Sequence, residues 1–500
     1  MNLKNKARKY LKSGAGERAV ANTMAVETLI IPTYRLKDVG ATVREYQRHF
    51  QVHRHEVPVV VFDDSPADVA ERDLPLLLRA AAPPAFYVGP LEKAEFLEKL
   101  IEKIGKKYEP TLRKILKPSY GGNRNHAALY SLGMVYVSAD DDMRPHGLFH
   151  VDEQELSERE VLKGCYIDKA QSSLIVKREA DLIGAYEQVL GRKVNDLNGD
   201  SAFLVGTTII DNLTDLYTNQ TKVPLQPNTV TLVEGDINQQ AKIVTAQTYR
   251  SGSADVDTID YVNDFLSNPY HAFVNDMSLR YVLQGFRPCI TSTNWRLDCG
   301  ISGYDNREGL PPFFPTRLRF EDYVFRLWLQ QPGVAAAHVG GVQTHYRNPY
   351  MRESLPNDLL NEAMANLLKS RLREQIKDLT PHTVIFERKI EISREESTVM
   401  LEVGREYFSK AIARAAGVLL QKEKCDPLTP EEKSNYLIGF ARDIYEEYEK
   451  FDADSFYHKI SRILNAEVKT IVETMDLWPT ILRTVEEFKR QGKLPLKEVS

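Results

Sequence analysis

Val135-Tyr-Val-Ser-Ala-Asp-Asp-Asp-Met-Arg-Pro145 is the stretch on which the fold turns. Its first residues, with Met134 before them, alternate and branch as a short strand does. The strand then runs straight into three consecutive carboxylates, Asp140, Asp141 and Asp142. Adjacent negative charges repel one another, and a strand end tolerates them best where a cation is bound. A hard ion such as Mn²⁺ or Mg²⁺ takes one or two carboxylates and completes its shell with phosphate oxygens and water. Taken alone, an acidic triplet is more often a solvated turn, so the segments around it decide its weight.

Upstream, strands and helices alternate. Thr28-Leu-Ile-Ile-Pro32 reads as a buried strand, 38–50 as a helix, and Pro58-Val-Val-Val-Phe62 as a second strand ending in Asp63-Asp64-Ser65-Pro66. A further helix leads to a strand near Phe86-Tyr87-Val88, and the charged, Lys-rich segment 91–117 reads as helical. This order predicts an α/β fold, a mostly parallel Rossmann-like sheet flanked by helices, with ligands at the strand carboxyl ends. Both acidic clusters stand at such ends. Residues 146–290 mix short strands, such as Ala202–Val205 and Thr229–Val233, with polar loops, and read as a sheet extension plus an insertion beside the active site. Ser251-Gly-Ser-Ala-Asp255 reads as a mobile loop.

From about 350 the pattern turns helical. Leu360, Met364, Leu367, Leu368 and Leu372 share one face, and Thr429-Pro430-Glu431-Glu432 is a capped helix start. Leu437, Phe440, Ala441, Ile444, Tyr448 and Phe451 continue as a stripe. Three units are expected: a basic segment 1–24, an α/β unit 25–350 and an all-helical region 351–500. The last is expected to be structural, with its helices a candidate homo-oligomer surface, and to supply no catalytic group.

The composition, 42% hydrophobic and 27% charged, excludes a disordered chain. Lys plus Arg is 65 and Asp plus Glu 70, so the net charge of −5 provides no global attraction to nucleic acid, and none is expected as a partner. Cys165, Cys289, Cys299 and Cys425 are scattered, without zinc or disulfide spacing. They suggest a reducing, cytoplasmic setting. No stretch approaches the roughly 20 apolar residues of a spanning helix. Lys4, Lys6, Arg8, Lys9 and Lys12 surround a helical face of Leu3, Ala7, Tyr10 and Leu11. That segment is either a frayed terminus or a membrane-surface helix making peripheral contact.

Two further constellations carry chemistry. Glu321-Asp322 lies near the start of the helical pattern Leu318–Gln330, where the helix dipole favours ionised carboxylates. An ionised carboxylate within reach of a hydroxyl is a general base; an acidic cap is the plainer alternative. His345, in Gly340-Gly-Val-Gln-Thr-His-Tyr-Arg347, is one of eleven histidines and could be an ordinary core residue or a Mn²⁺ ligand beside a carboxylate.

In order, these segments resemble the GT-A glycosyltransferases, in particular the large inverting family two. Leu29–Arg35 is similar to that family's opening strand, although Arg35 stands where Asn is commoner. Val60–Ser65 is similar to its second strand, Gly121-Gly-Asn-Arg-Asn125 to its Gly-Arg-Asn segment, and Val135–Pro145 to its D-x-D strand. Gly300-Ile-Ser-Gly-Tyr-Asp305 and Glu321–Phe325 resemble the acceptor-side turn and the catalytic acidic pair. The triplet also resembles that of the galactofuranosyltransferase branch, without assigning that sugar.

The resemblance spans about 26–348 and implies a UDP- or GDP-sugar donor, Mn²⁺ or Mg²⁺, and a carbohydrate or lipid-linked acceptor. Donor contacts would come from Pro32, Tyr34, Arg35, Asp63, Asp64, Arg124, Asn125, Asp140 and Asp141. Metal ligands would be Asp142, Asp140 and His345, and the acidic pair Asp322 and Glu321 would be catalytic, with Asp322 as base. Asp142 and Glu321 stand further apart than the family leads one to expect, and no Q-x-x-R-W segment follows the pair, which argues against a processive polymerase. A sugar-phosphate nucleotidyltransferase is one alternative, although Thr33-Tyr34-Arg35 is no glycine-rich triphosphate loop. A non-catalytic nucleotide-sugar-binding relative is the other.

Overall fold

The computed structural model describes residues 24–167, 169–197, 200, 202–206, 208–212, 228–235, 237–253, 280–291, 299–314, 316, 318, 321–329, 333–346, 391–406 and 445–499, with shorter pieces between 360 and 385. The basic N-terminal segment and the helix start at Thr429 lie outside the described residues.

Four parallel strands form the centre: β1 (Thr28–Thr33), β2 (Val59–Asp63), β3 (Ala85–Val88) and β4 (Val135–Ala139). They lie in the order β3-β2-β1-β4. β1 is buried on both faces, which is why it reads as an uninterrupted apolar run. Successive side chains still separate. Ile30 joins the core on one face of the sheet, while Leu29 and Ile31 join the core on the other. Beyond β4 come β5 (Lys242–Ser253), β6 (Ile301–Asp305) and β7 (Val334–His345). β6 runs antiparallel between β4 and β5, and β7 is parallel to β5, so the sheet is mixed and open.

Helices α1 (Leu36–His53) and α2 (Ala67–Ala80) cover one face, joined by α6 (Leu182–Glu187). The other carries α3 (Pro90–Ile104), α4 (Glu109–Ile115), α5 (Tyr120–Tyr130), α7 (Glu321–Leu329) and the long α8 (Ala453–Gln491). α8 begins on an Asp452 cap and ends on Gly492 in the left-handed region. The tail is not helical throughout. Its last described strand, β8 (Lys497–Val499), pairs antiparallel with β3 and extends that side of the sheet by one short strand.

The segment between β4 and β6 forms a β-extension. Strands Asn228–Val233, Glu160–Ile167 and Arg280–Phe286 pair antiparallel in that order, and Gly252 and Ser253 of β5 pair with Tyr281 and Arg280. Ser251–Ser253 is therefore strand, where composition suggests a mobile loop; Ala254 and Asp255 lie outside the described residues. Gly252 holds φ at 105°, and a Cβ there would stand 2.2 Å from the His345 carbonyl oxygen. Only glycine lets β5 lie this close to the end of β7. Among the described residues no helix is long and apolar enough to cross a membrane.

Candidate functional site

β1 leads to β2 and β3 on one side and lies beside β4 on the other, so the strand order reverses between β1 and β4. In open α/β sheets such a switch point is where ligands bind, outside the strand carboxyl ends. The acidic triplet leaves β4 there. Thr33, the last residue of β1, donates its hydroxyl to Asp141 Oδ2 at 2.6 Å. Arg35 reaches across from the start of α1. Its Nη2 pairs with Asp141 Oδ1 and lies 3.1 Å from Asp142 Oδ2.

A two-residue strand, Met143–Arg144, explains how His345 reaches the triplet. It pairs antiparallel with Thr344 and His345, and the Tyr346 N–H donates to the Asp142 carbonyl at 2.7 Å. His345 Nε2 then stands 3.5 Å from Asp142 Oδ2, and its buried Nδ1 has no partner among the described residues. Burial alone would raise the Asp142 pKa; His345 and Arg35 outweigh it and hold the carboxyl well below its usual range.

Asp140 points elsewhere. Its carboxylate packs against Gly300, where a Cβ would lie 2.4 Å from Oδ2, and it accepts from Arg124 Nη2 at 2.9 Å. Arg124 is buried in α5, donates to the Cys299 carbonyl at 3.2 Å, and faces Glu321 Oε1 at 3.5 Å. One guanidinium thus joins the triplet to the acidic pair. Glu321 and Asp322 occupy the first turn of α7. Glu321 is buried and Asp322 half-buried. Burial pushes the Cys299 thiol well above its ordinary pKa; Arg124 opposes this, and Asp322 and Glu321 add to it.

Several expected donor contacts are engaged within the protein. Asp63 is fully buried, accepting from the Ser65 N–H at 2.8 Å and the Tyr87 hydroxyl at 2.9 Å. Asp64 accepts from the Ser119 N–H at 3.0 Å and pairs with Lys93. Asn125 is fully buried; its amide donates to the Ile115 and Phe313 carbonyls and accepts from the Phe313 N–H, tying that loop to α5. Pro32 is a half-buried part of β1 in register with Phe62. Tyr34 is exposed at the mouth of the crevice, edge-on to Tyr120, which also is exposed.

Lys93 was not singled out by the sequence reading. It donates to the Asp63 carbonyl at 2.8 Å and Asn123 Oδ1 at 2.7 Å, besides pairing with Asp64. Burial lowers its pKa, with Asp64 opposing. A signal existed: a lysine in the first turn of a helix opposes the dipole and needs an acidic partner. Here that partner is the end of β2.

The donor set fits a hard divalent ion in part. Asp142 and His345 offer a carboxylate and an imidazole to one place, while Asp140 is turned toward Arg124. Among the described residues no three metal-ligating side chains converge. Two protein ligands suffice for an ion that completes its shell with phosphate and water. The chain matches no known family model, and no curated protein is significantly similar to it in sequence.

Proposed function

We propose that the chain is a GT-A glycosyltransferase that transfers a sugar from a UDP- or GDP-sugar to an acceptor hydroxyl with inversion. The observation that carries this reading is the gathering, at one switch point, of Asp142 with His345 and, through Arg124, of Asp140 with the acidic first turn of α7. Asp142 and His345 would hold Mn²⁺ or Mg²⁺, which when bound offsets charge on the departing diphosphate. Asp322 accepts the acceptor hydroxyl proton while that oxygen forms its bond to the anomeric carbon. The bond from that carbon to the diphosphate oxygen breaks, and its electron pair leaves with the nucleoside diphosphate. Arg124 holds Asp140 and Glu321 in place. The helix N-terminus of α7 favours the ionised form that a base must have.

The test is release of nucleoside diphosphate from a panel of nucleotide sugars with Mn²⁺. Asp322→Asn should leave donor binding nearly unchanged and slow transfer about 10²–10⁴-fold. Asp142→Ala should abolish metal-dependent donor binding in a folded protein. Turnover of Asp322→Asn near the wild-type rate, or a product that retains the donor's anomeric configuration, would overturn this mechanism. Pyrophosphate release from a nucleoside triphosphate and a sugar phosphate would point to a nucleotidyltransferase instead.

A further inference from the structure

We infer that Arg35 holds the cation's place beside Asp141 and Asp142 until a divalent ion arrives together with a nucleoside diphosphate. The inference rests on the reading above and concerns how that site loads. The same atom, Asp142 Oδ2, faces Arg35 Nη2 at 3.1 Å and His345 Nε2 at 3.5 Å. The oxygen best placed to share an ion with His345 is therefore already claimed by a guanidinium.

Arg35 is built into this position. Its backbone N–H donates to Thr33 Oγ1 at 2.9 Å, and that hydroxyl donates onward to Asp141. Its Cζ lies 5.3 Å from the Tyr34 ring centroid, and only 16% of its side chain is exposed. Among the described residues Arg35 is the cation paired with Asp141, and leaving that buried carboxylate without it would be costly.

Charge balance then sets the order of binding. A divalent ion entering while Arg35 stays would place three positive charges against two carboxylates in a largely buried crevice. Like charges a few ångströms apart repel strongly there. A diphosphate removes the conflict by supplying the missing negative charge, to the ion and to the released guanidinium together. The metal alone should therefore bind weakly, and the metal with a nucleoside diphosphate tightly.

The experiment measures free Mn²⁺ by electron paramagnetic resonance during titration of the full chain, without and with saturating UDP or GDP. Wild type is compared with Arg35→Ala and Arg35→Gln, each checked for folding by circular dichroism. The nucleoside diphosphate should tighten Mn²⁺ binding by wild type at least about tenfold. Without nucleotide, both variants should bind Mn²⁺ at least about tenfold more tightly than wild type, and the nucleotide should help them less. Wild type that binds Mn²⁺ alone as tightly as with either nucleotide overturns the inference, whatever the variants do. So does equal Mn²⁺ affinity in wild type and a folded variant. In both cases the metal-dependent reading survives. If wild type and variants bind no Mn²⁺ even with UDP or GDP, that reading falls as well.

Discussion

Two single residues test how the crevice is held. Gly300 leaves room for the Asp140 carboxylate, so a methyl group there must displace it and disturb its contact with Arg124. Gly300→Ala should cost about 1–3 kcal/mol, as overpacking does, and should weaken donor binding; a urea titration and a binding isotherm check the two effects separately. Lys93 and Asp64 form a buried pair that is costly to break from one side. Lys93→Met should lose about 3–5 kcal/mol by leaving Asp64 without its cation. Adding Asp64→Asn should restore part of that loss. If the double variant is no more stable than Lys93→Met alone, the loss comes from the other Lys93 bonds, to Asn123 and the Asp63 carbonyl.

At the scale of elements, the long C-terminal helix is part of the α/β unit's core. Trp478 is fully buried in α8 and donates its indole N–H to the Leu310 carbonyl at 2.8 Å. Ile481 and Val485 belong to the same apolar cluster as Phe96, Leu100 and Phe325. Trp478→Ala should cost about 3–5 kcal/mol, the usual range for emptying such a site. Deleting the chain from Ala453 onward should yield protein without a cooperative thermal transition, since α3, α4 and α5 would face water with the side chains they now bury against α8. A sharp melt from that deletion would show the α/β unit to be self-sufficient. The sequence led to an expectation of helix over 351–500 in general, from a cap at Thr429 and stripes at 360–372 and 437–451. It singled out neither the Asp452 cap nor the face of α8, and it did not say what that face would cover.

For the whole molecule, buried neutral histidines set the response to acid. Burial lowers His49 and His146 to about 4 and His338 to about 3, and holds His126 well below its ordinary value. All four are depressed in the folded state, so the unfolded chain takes up protons first, from its ordinary 6.5 downward. Their contribution is complete above pH 6.5 and is lost as pH falls toward the lowered values, about 4 for His49 and His146 and about 3 for His338. Between pH 6.5 and pH 5 a fully buried imidazole such as His338 should withdraw about 2 kcal/mol. Burial raises the carboxyl of Asp64 and so acts in the opposite sense, but in a more acidic range near its ordinary 3.8. Urea titrations at pH 7.5 and 5 should show lower stability at the acid value, and His338→Asn should flatten the difference. Equal stability at both would mean these rings are not held neutral.

The sequence by itself determined the parts whose cause is local. Strands buried on both faces had to be apolar without interruption, which made β1, β2 and β4 legible. The carboxylates at the ends of β2 and β4 and in the first turn of α7 stood out because acidic residues gather where a strand ends or a helix begins. The tertiary structure decided what those residues touch. His345 meets Asp142 because Met143–Arg144, too short to register as a strand, pairs with Thr344 and His345. Lys93 meets Asp64, and Trp478 meets Leu310, only through packing between distant parts of the chain. Arg35 could be read as an odd residue at a strand end, but not as the cation between two aspartates more than a hundred positions away. Periodicity reports which face of an element is buried; which groups share a crevice depends on strand order and register, and those are settled by pairing across the whole chain.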